Sequence, residues 1–405
     1  MKGNILIVSQ YFYPEQFRIN DISQELIKRG YKVTVLTGIP NYPYGRFYKG
    51  YGFFQRRKEY WNGINIIRIP LIPRGEKSIS LILNYISFVI SGFIWSIFTN
   101  IKFDKVFIFE VSPMTQALPA IWYSRRRKIP AIIYVQDLWP ENVEIVAGIH
   151  NRYLITGINK MVDYIYKYCS KILVSSPSFK KNIETRGIKE GNVIYWPQYA
   201  EKFYHPEIKE ELFDLKEDNI FKIVYTGNIG YAQGLDILPK VAVILKQMFI
   251  NIKFIIIGNG RYIEEFEKEI KKYKVETYFK LLGSKKPIEI PKYLSLCDAA
   301  FLSFAKNDLF EMTIPAKLQS YMASGIPILA AAGGETKRII EEAGCGIVCN
   351  MGDVDGLCKN ILYLMNIGED VMKKMRNNAL LYSEERFNVD NLMSQLCEIL
   401  EETKT

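Results

Sequence analysis

A chain of 405 residues is too long for a single core and calls for two domains, and 48% hydrophobic residues are enough to fill both. Six cysteines without a CxxC pair and only two histidines argue against a Cys/His metal centre and fit reduced thiols in the cytosol. The net charge of +10 is uneven: residues 1–200 hold 27 Lys and Arg against 13 Asp and Glu, while residues 201–405 hold 26 against 30. The clusters Arg56-Arg57-Lys58, Arg125-Arg126-Arg127-Lys128 and Lys180-Lys181 suit an anionic surface or a pyrophosphate-bearing acceptor, or are plain solvated faces. No nucleic-acid-binding motif accompanies them, so nucleic acid is not expected as a partner.

In chain order, hydrophobic patterning predicts a strand at 4–9, a helix at 18–29 stopped by Gly30, and a strand at 32–37. Strands follow at 65–69, 105–110, 131–135, 171–175 and 193–195, which together predict a doubly wound α/β domain. The apolar run at 5–8 is too short for a signal peptide. A second strand series occupies 222–226, 252–257, 279–282, 299–303, 327–331 and 346–349. The charged, turn-rich stretch from Trp196-Pro197 to about Asn219 is the expected linker. The expected domains are 1–200 and 201–388, with a helix in 389–405 packing back on the first. No solenoid repeat is visible. Two such domains imply a cleft between the carboxyl ends of their sheets, where ligands of open α/β sheets bind. The first strand runs into Ser9-Gln10-Tyr11-Phe12-Tyr13-Pro14 rather than GxGxxG, which argues against a nicotinamide enzyme.

Residues 78–101 carry no charge over 24 positions, long enough to span a bilayer. Ser80, Asn84, Ser87 and Ser91 are spaced by four, three and four, on one helix face. Three readings stand: a helix seated in the membrane interface, a buried core helix, or a true span.

Several loops at predicted strand ends carry candidate chemistry. In residues 313–348 a helix at 316–323 is stopped by Gly325, a strand runs 327–331, and Gly333-Gly334 opens a second helix. Bare N–H groups there, with the helix dipole, can hold a phosphate or a sugar hydroxyl. In Tyr225–Asp236 of the sequence YTGNIGYAQGLD, Gly227, Gly230 and Gly234 free the backbone to approach a diphosphate. Asp137 in YVQDLWPE ends a buried strand; it either eases proton loss from a substrate hydroxyl or caps the next helix. Glu110 in FEVSP is a second candidate by the same position. Arg18 at a helix start opposes the dipole, which a phosphate or a nearby acid would explain. Asp353-Val354-Asp355 resembles a DxD metal motif but is better read as a helix cap, so no metal is expected.

The string TIPAKLQSYMASGIPILAAAGGE resembles the donor region of family 4 glycosyltransferases, with their P-x-K-x-x-E-Y-M-A-x-G-x-P and GGE motifs. TGIPNYPYG and DLWP are similar to a bacterial branch that transfers acetamido sugars of the fucosamine type. The resemblance implies a GT-B fold of two Rossmann-like domains. It also implies retaining transfer of an N-acetylated sugar from a nucleotide donor, expected to be UDP-linked, with no cofactor and no metal. The implied acceptor is a polyprenyl-diphosphate-linked saccharide used for O-antigen or capsule. The enzyme is then expected in the cytoplasm, peripheral on the inner face of the membrane and held by its anionic surface. On the donor side the resemblance implies Gly227, Asn228, Gly230, Gln233, Arg261, Glu311, Lys317, Ser320, Gly333, Gly334 and Glu335, with Lys317 first and Arg261 second for the diphosphate. The acceptor side is Arg18, Asn41, Tyr42 and Arg46, with Asp137 and Glu110 as catalytic carboxyls. The chain departs from the family at the ribose-binding glutamate, which aligns with Ser320, and at the pyrophosphate Arg and Lys, which align with Asn228 and Gln233. A nucleotide-sugar epimerase of the same architecture and a non-catalytic membrane-bound scaffold are the rival readings.

Overall fold

The computed structural model describes residues 2–75, 78–146, 148–207, 215 and 220–403. Two compact units divide it: residues 1–196 with 390–405, and residues 197–389.

The first unit begins β1 (Asn4–Val8), α1 (Arg18–Lys28), β2 (Lys32–Gly38), β3 (Lys58–Trp61), β4 (Ile64–Ile69) and α2 (Ser78–Phe98). It continues β5 (Lys105–Glu110), α3 (Leu118–Arg127), β6 (Ala131–Val135), α4 (Glu141–Val146), α5 (Arg152–Lys167), β7 (Lys171–Val174), α6 (Pro177–Glu184) and β8 (Val193–Tyr195). The sheet order is β3-β4-β2-β1-β5-β6-β7-β8. Every pair is parallel except β3 with β4. Inner strands such as NILIV and AIIYV are covered on both faces, so they read as continuous apolar runs rather than alternating ones. The antiparallel edge strand β3 is not among the predicted strands. Asn62 and Gly63 both take positive φ and turn it into β4.

The second unit begins β9 (Phe221–Thr226), α7 (Ile237–Gln247), β10 (Ile252–Ile257), α8 (Ile263–Lys272), β11 (Phe279–Gly283), α9 (Ile290–Ser295) and β12 (Ala299–Ser303). It closes α10 (Asp308–Glu311), α11 (Ala316–Ala323), β13 (Ile328–Ala331), α12 (Gly334–Ala343), β14 (Gly346–Cys349), α13 (Val354–Asn366) and α14 (Glu369–Phe387). Its parallel sheet runs β11-β10-β9-β12-β13-β14. The strand order reverses at β1/β5 in the first sheet and at β9/β12 in the second, so the loops after these strands diverge and leave room for a ligand.

The last helix, α15 (Val389–Glu402), packs on the first unit. The Trp196 indole donates to the Leu392 carbonyl at 2.8 Å, and Arg29 pairs with Asp390 at 2.9 Å. Trp196 is fully buried against Tyr134, so it belongs to the core and not to the expected linker. Tyr199 is buried as well, and residues 208–214 and 216–219 of the linker lie outside the described residues.

The helix α2 inverts the usual arrangement. Its polar stripe faces inward: Gln10 donates to Asn84 at 2.7 Å, Asn84 donates to the Ile72 carbonyl, and Ser87 accepts from the Ile72 N–H at 2.8 Å. The apolar side chains of Ile79, Ile82, Leu83, Ile86, Ile90, Phe93, Ile94, Ile97 and Phe98 are exposed instead. A buried core helix is therefore ruled out. A span is disfavoured as well, because α2 packs on α3 and β4 as a layer of the unit.

Candidate active site

In the second unit the glycine loop after β9 and the start of α11 come together. Gly227 has φ +126°, and a Cβ there would lie 3.7 Å from Lys317 Nζ. The ammonium donates to the Tyr225 hydroxyl at 2.7 Å and sits 3.9 Å from the ring centroid. Tyr225 in turn donates to the Asn228 carbonyl, so one buried phenol fixes both the cation and the loop. The Lys317 side chain is half-buried overall, but its charged end is enclosed, and burial lowers its pKa to about 7. Among the described residues no carboxylate pairs with Lys317. An anion placed at Gly227 would meet an uncompensated cation.

The remaining donor-side candidates are spread over several elements of the second unit. Gln233 accepts from the Gly230 N–H at 3.0 Å and from the Asn228 amide at 3.3 Å, which folds the loop on itself. Arg261 is exposed, in the loop after β10 whose Asn259 carbonyl accepts from the Ile229 N–H at 2.9 Å. Glu311, Gly333 and Gly334 form one close packing: a Cβ at either glycine would collide with Glu311, and Gly334 has φ +49°. The first turn of α12 has no side-chain N-cap hydrogen bond, but the Glu311 carboxylate already lies beside it. Of the two ligands expected at the glycine pair, a phosphate would face this carboxylate, whereas a sugar hydroxyl would find an acceptor. Glu335 is mostly buried and paired with Arg338 at 3.0 Å. Ser320 back-bonds to the Ala316 carbonyl at 3.3 Å, so its hydroxyl is turned into its own helix.

In the first unit, Asp137 follows β6, and its carboxylate accepts from the Ser112 N–H at 2.8 Å. This tie to the loop after β5 replaces the helix-cap alternative. Glu110 ends β5 and is fully buried; its carboxyl accepts from the Asp137 N–H at 3.5 Å. Burial, with the neighbouring Asp137 charge, drives its pKa well above the ordinary value and so favours its neutral form. The expectation that Glu110 meets substrate directly is thus corrected: it supports Asp137 from beneath. Asn41 is also corrected. It is buried, with its amide donating to Ile39 and accepting from Arg74, so its polar atoms are already used. Tyr42 packs among Tyr11, Phe17 and Arg74, and Arg46 is exposed. Arg18 starts α1 near Tyr134. Asp353 accepts from the Gly356 N–H at 2.8 Å and caps α13.

Sequence reasoning missed two residues here. Tyr225 gave no signal beyond its place at a strand end. Glu15 is a buried carboxylate bound to the backbone at 41 and 42. Its grip spans distant segments, so no local pattern shows it.

Residues 207–381 match the model of the Glycosyl transferases group 1 family. The putative colanic acid biosynthesis glycosyl transferase WcaI of Escherichia coli (strain K12) is 22% identical, over 96% of this chain and 98% of that protein. The sucrose-phosphate synthase of Thermosynechococcus elongatus superposes with a TM-score of 0.75 at 12% identity, covering 98% of both chains. Anabaena Alr3699/HepE, solved in complex with UDP-glucose, superposes with a TM-score of 0.72 at 13% identity, covering 99% of this chain and 100% of its own. The chain has the GT-B fold, its residues 207–381 match the glycosyl transferases group 1 model, and it is a glycosyltransferase.

Proposed function

We propose that this glycosyltransferase is retaining and moves an N-acetylated sugar from a UDP donor to a polyprenyl-diphosphate-linked saccharide, on the inner face of the cell membrane, in surface-polysaccharide synthesis. The observation that carries the donor reading is Lys317, a cation without a carboxylate partner among the described residues, held by Tyr225 at the glycine loop. The colanic acid role named for the WcaI relative and the UDP-glucose bound in HepE support the pathway class and the nucleotide. The acetamido sugar is supported by the resemblance of the TGIPNYPYG, DLWP and YTGNIG segments.

In the reaction the bond from the anomeric carbon to the donor diphosphate breaks, with its electron pair leaving on the diphosphate. The acceptor oxygen bonds the same face of that carbon. Its proton goes to Asp137 or to the departing phosphate. Lys317 and Arg261 stabilise the charge that develops on the leaving group, in the role a divalent ion would otherwise fill. In this reading Glu311, with Glu335 beside it on α12, accepts from sugar hydroxyls.

UDP binding is expected to weaken as pH rises from 7 to 9. The Lys317 pKa is about 7 in the free protein, and a bound diphosphate raises it, so binding takes up a proton above pH 7. Affinity should fall by up to about tenfold per pH unit in that window. Calorimetry in buffers of different ionisation enthalpy checks this, and a pH-independent affinity with no proton uptake would remove Lys317 from the site.

The membrane reading rests on the outward apolar face of α2 and on the cations at its end. Arg126 donates to the Ser96 carbonyl at 2.7 Å, and Arg127 donates to the Thr99 carbonyl. Arg125, beside them, sits 3.9 Å from the Tyr168 ring centroid. Apolar side chains bordered by arginines suit an anionic bilayer surface. Replacing exposed Ile86, Phe93 and Ile97 by alanine should lower partition into anionic vesicles by roughly 100-fold, at about 1 kcal/mol per side chain. Co-sedimentation measures it, and unchanged partition would mean that α2 is not the anchor.

A further inference from the structure

The loop at residues 39–48 owes its shape to a carboxylate that no step above uses. Glu15 lies between β1 and α1 and is 2% exposed. Its Oε1 accepts from the Asn41 N–H at 2.7 Å and the Tyr42 N–H at 2.6 Å, and its Oε2 accepts from the Phe12 N–H at 3.3 Å. No other acceptor takes the Asn41 or Tyr42 N–H among the described residues. The β1–α1 loop is itself braced, because Asn20 accepts from the Tyr13 N–H at 3.2 Å and donates to the Glu15 carbonyl at 2.7 Å. On its far side, loop 39–48 is pinned to the segment entering α2. Arg74 donates its N–H to Asn41 at 2.9 Å, and Gly75 donates to the Gly45 carbonyl at 2.9 Å. Tyr44 and Arg46 are left pointing outward from a loop whose base is fixed.

We infer that Glu15 is a positioning residue for the acceptor: its carboxylate clamps loop 39–48 at the carboxyl edge of the first sheet, so that the outward residues of the loop present a fixed surface to the acceptor. The inference rests on the acceptor-side reading of that loop. It adds the group that holds the loop and the condition under which the hold fails. Hydrogen bonds to an ionised carboxylate are roughly twice as strong as those to a neutral one, so the clamp tightens when Glu15 is charged. Burial raises the Glu15 pKa to about 7, against the pull of its three backbone donors and of Arg68. The groups facing it are the Arg68 guanidinium and the phenols of Tyr11 and Tyr48. Burial lifts the Tyr48 phenol to about 12 and the Tyr11 phenol higher still, so neither phenol titrates with Glu15.

The test measures KM for a short-chain prenyl-diphosphate-linked N-acetylglucosamine probe, together with Kd for UDP, in wild type, Glu15→Gln and the double variant Tyr44→Ala/Arg46→Ala. In Glu15→Gln the amide turns an N–H donor toward a backbone N–H whichever way it is flipped. The acceptor KM should rise by roughly tenfold with UDP affinity unchanged. In wild type the acceptor KM should also rise as pH falls from 8 to 6, opposite in sense to the UDP affinity, which decides the matter even if Glu15→Gln does not fold. The inference is overturned if the loop variant raises acceptor KM while Glu15→Gln does not. It is also overturned if Glu15→Gln weakens UDP and acceptor alike, as a merely structural role would, or if the wild-type acceptor KM is flat across that pH range. The underlying reading fails separately if the loop variant leaves acceptor KM unchanged, or if wild type does not turn over the probe.

Discussion

Lys317→Ala is expected to weaken UDP binding by roughly 10- to 100-fold, the effect of removing one or two charge-assisted hydrogen bonds to the diphosphate in a partly enclosed site. The transfer rate should fall further, by about 100- to 1,000-fold, because the ammonium faces a diphosphate whose charge grows as the sugar departs. The fold should survive. Lys317 has no ion-pair partner among the described residues, so its removal leaves no carboxylate buried and unpaired. The companion change Tyr225→Phe keeps the ring under the ammonium but deletes the hydroxyl that joins Lys317 to Asn228. Its effect on UDP affinity should be smaller than that of Lys317→Ala and in the same direction. Unaltered UDP binding in Lys317→Ala would move the diphosphate role to Arg261.

Asp137→Asn is the second large effect. Transfer should fall by about 100- to 10,000-fold, the range for losing a positioned base, with UDP affinity unchanged. Asparagine can still accept from the Ser112 N–H, so the loop geometry is retained and the lost quantity is charge. Glu110→Gln discriminates this from a general disturbance. Burial favours the neutral form of Glu110, which glutamine resembles, so turnover should stay within a few-fold of wild type. Unchanged transfer in Asp137→Asn would assign the proton to the departing phosphate alone.

Much of the fold was legible because parallel strands covered on both faces write themselves as short apolar runs, and FIIIG-like stretches between charged helices leave few alternatives. The edge strand β3 escapes that pattern, although Trp61-Asn62-Gly63-Ile64 carries the Asn-Gly signal of a two-residue hairpin. Its half-exposed sequence, Lys-Glu-Tyr-Trp, lacks the apolar run that marks the inner strands. The polar stripe of α2 was readable as a stripe, but its direction was not. Whether Asn84 faces protein or solvent is set by Gln10 and Ile72, which sequence spacing does not place. The candidate site divides the same way. Lys317 and the glycine loop were legible through motif resemblance and a strand-end position. Glu15 was not, because its partners are backbone N–H groups 26 and 27 residues away. Glu311 and the glycine pair each stand out in the sequence, but their mutual contact depends on how α10 packs against α12.

The most direct test of the central claim is a thermal-shift series with UDP, GDP, dTDP and their sugars, each with EDTA and with magnesium. The account predicts that UDP and UDP-linked acetamido sugars raise the melting temperature in EDTA, and that Lys317→Ala abolishes the rise. At a hundredfold excess over Kd the stabilisation would be about 2.7 kcal/mol, well within reach of the method. No shift with any nucleotide, or a shift that needs magnesium and survives Lys317→Ala, would contradict it.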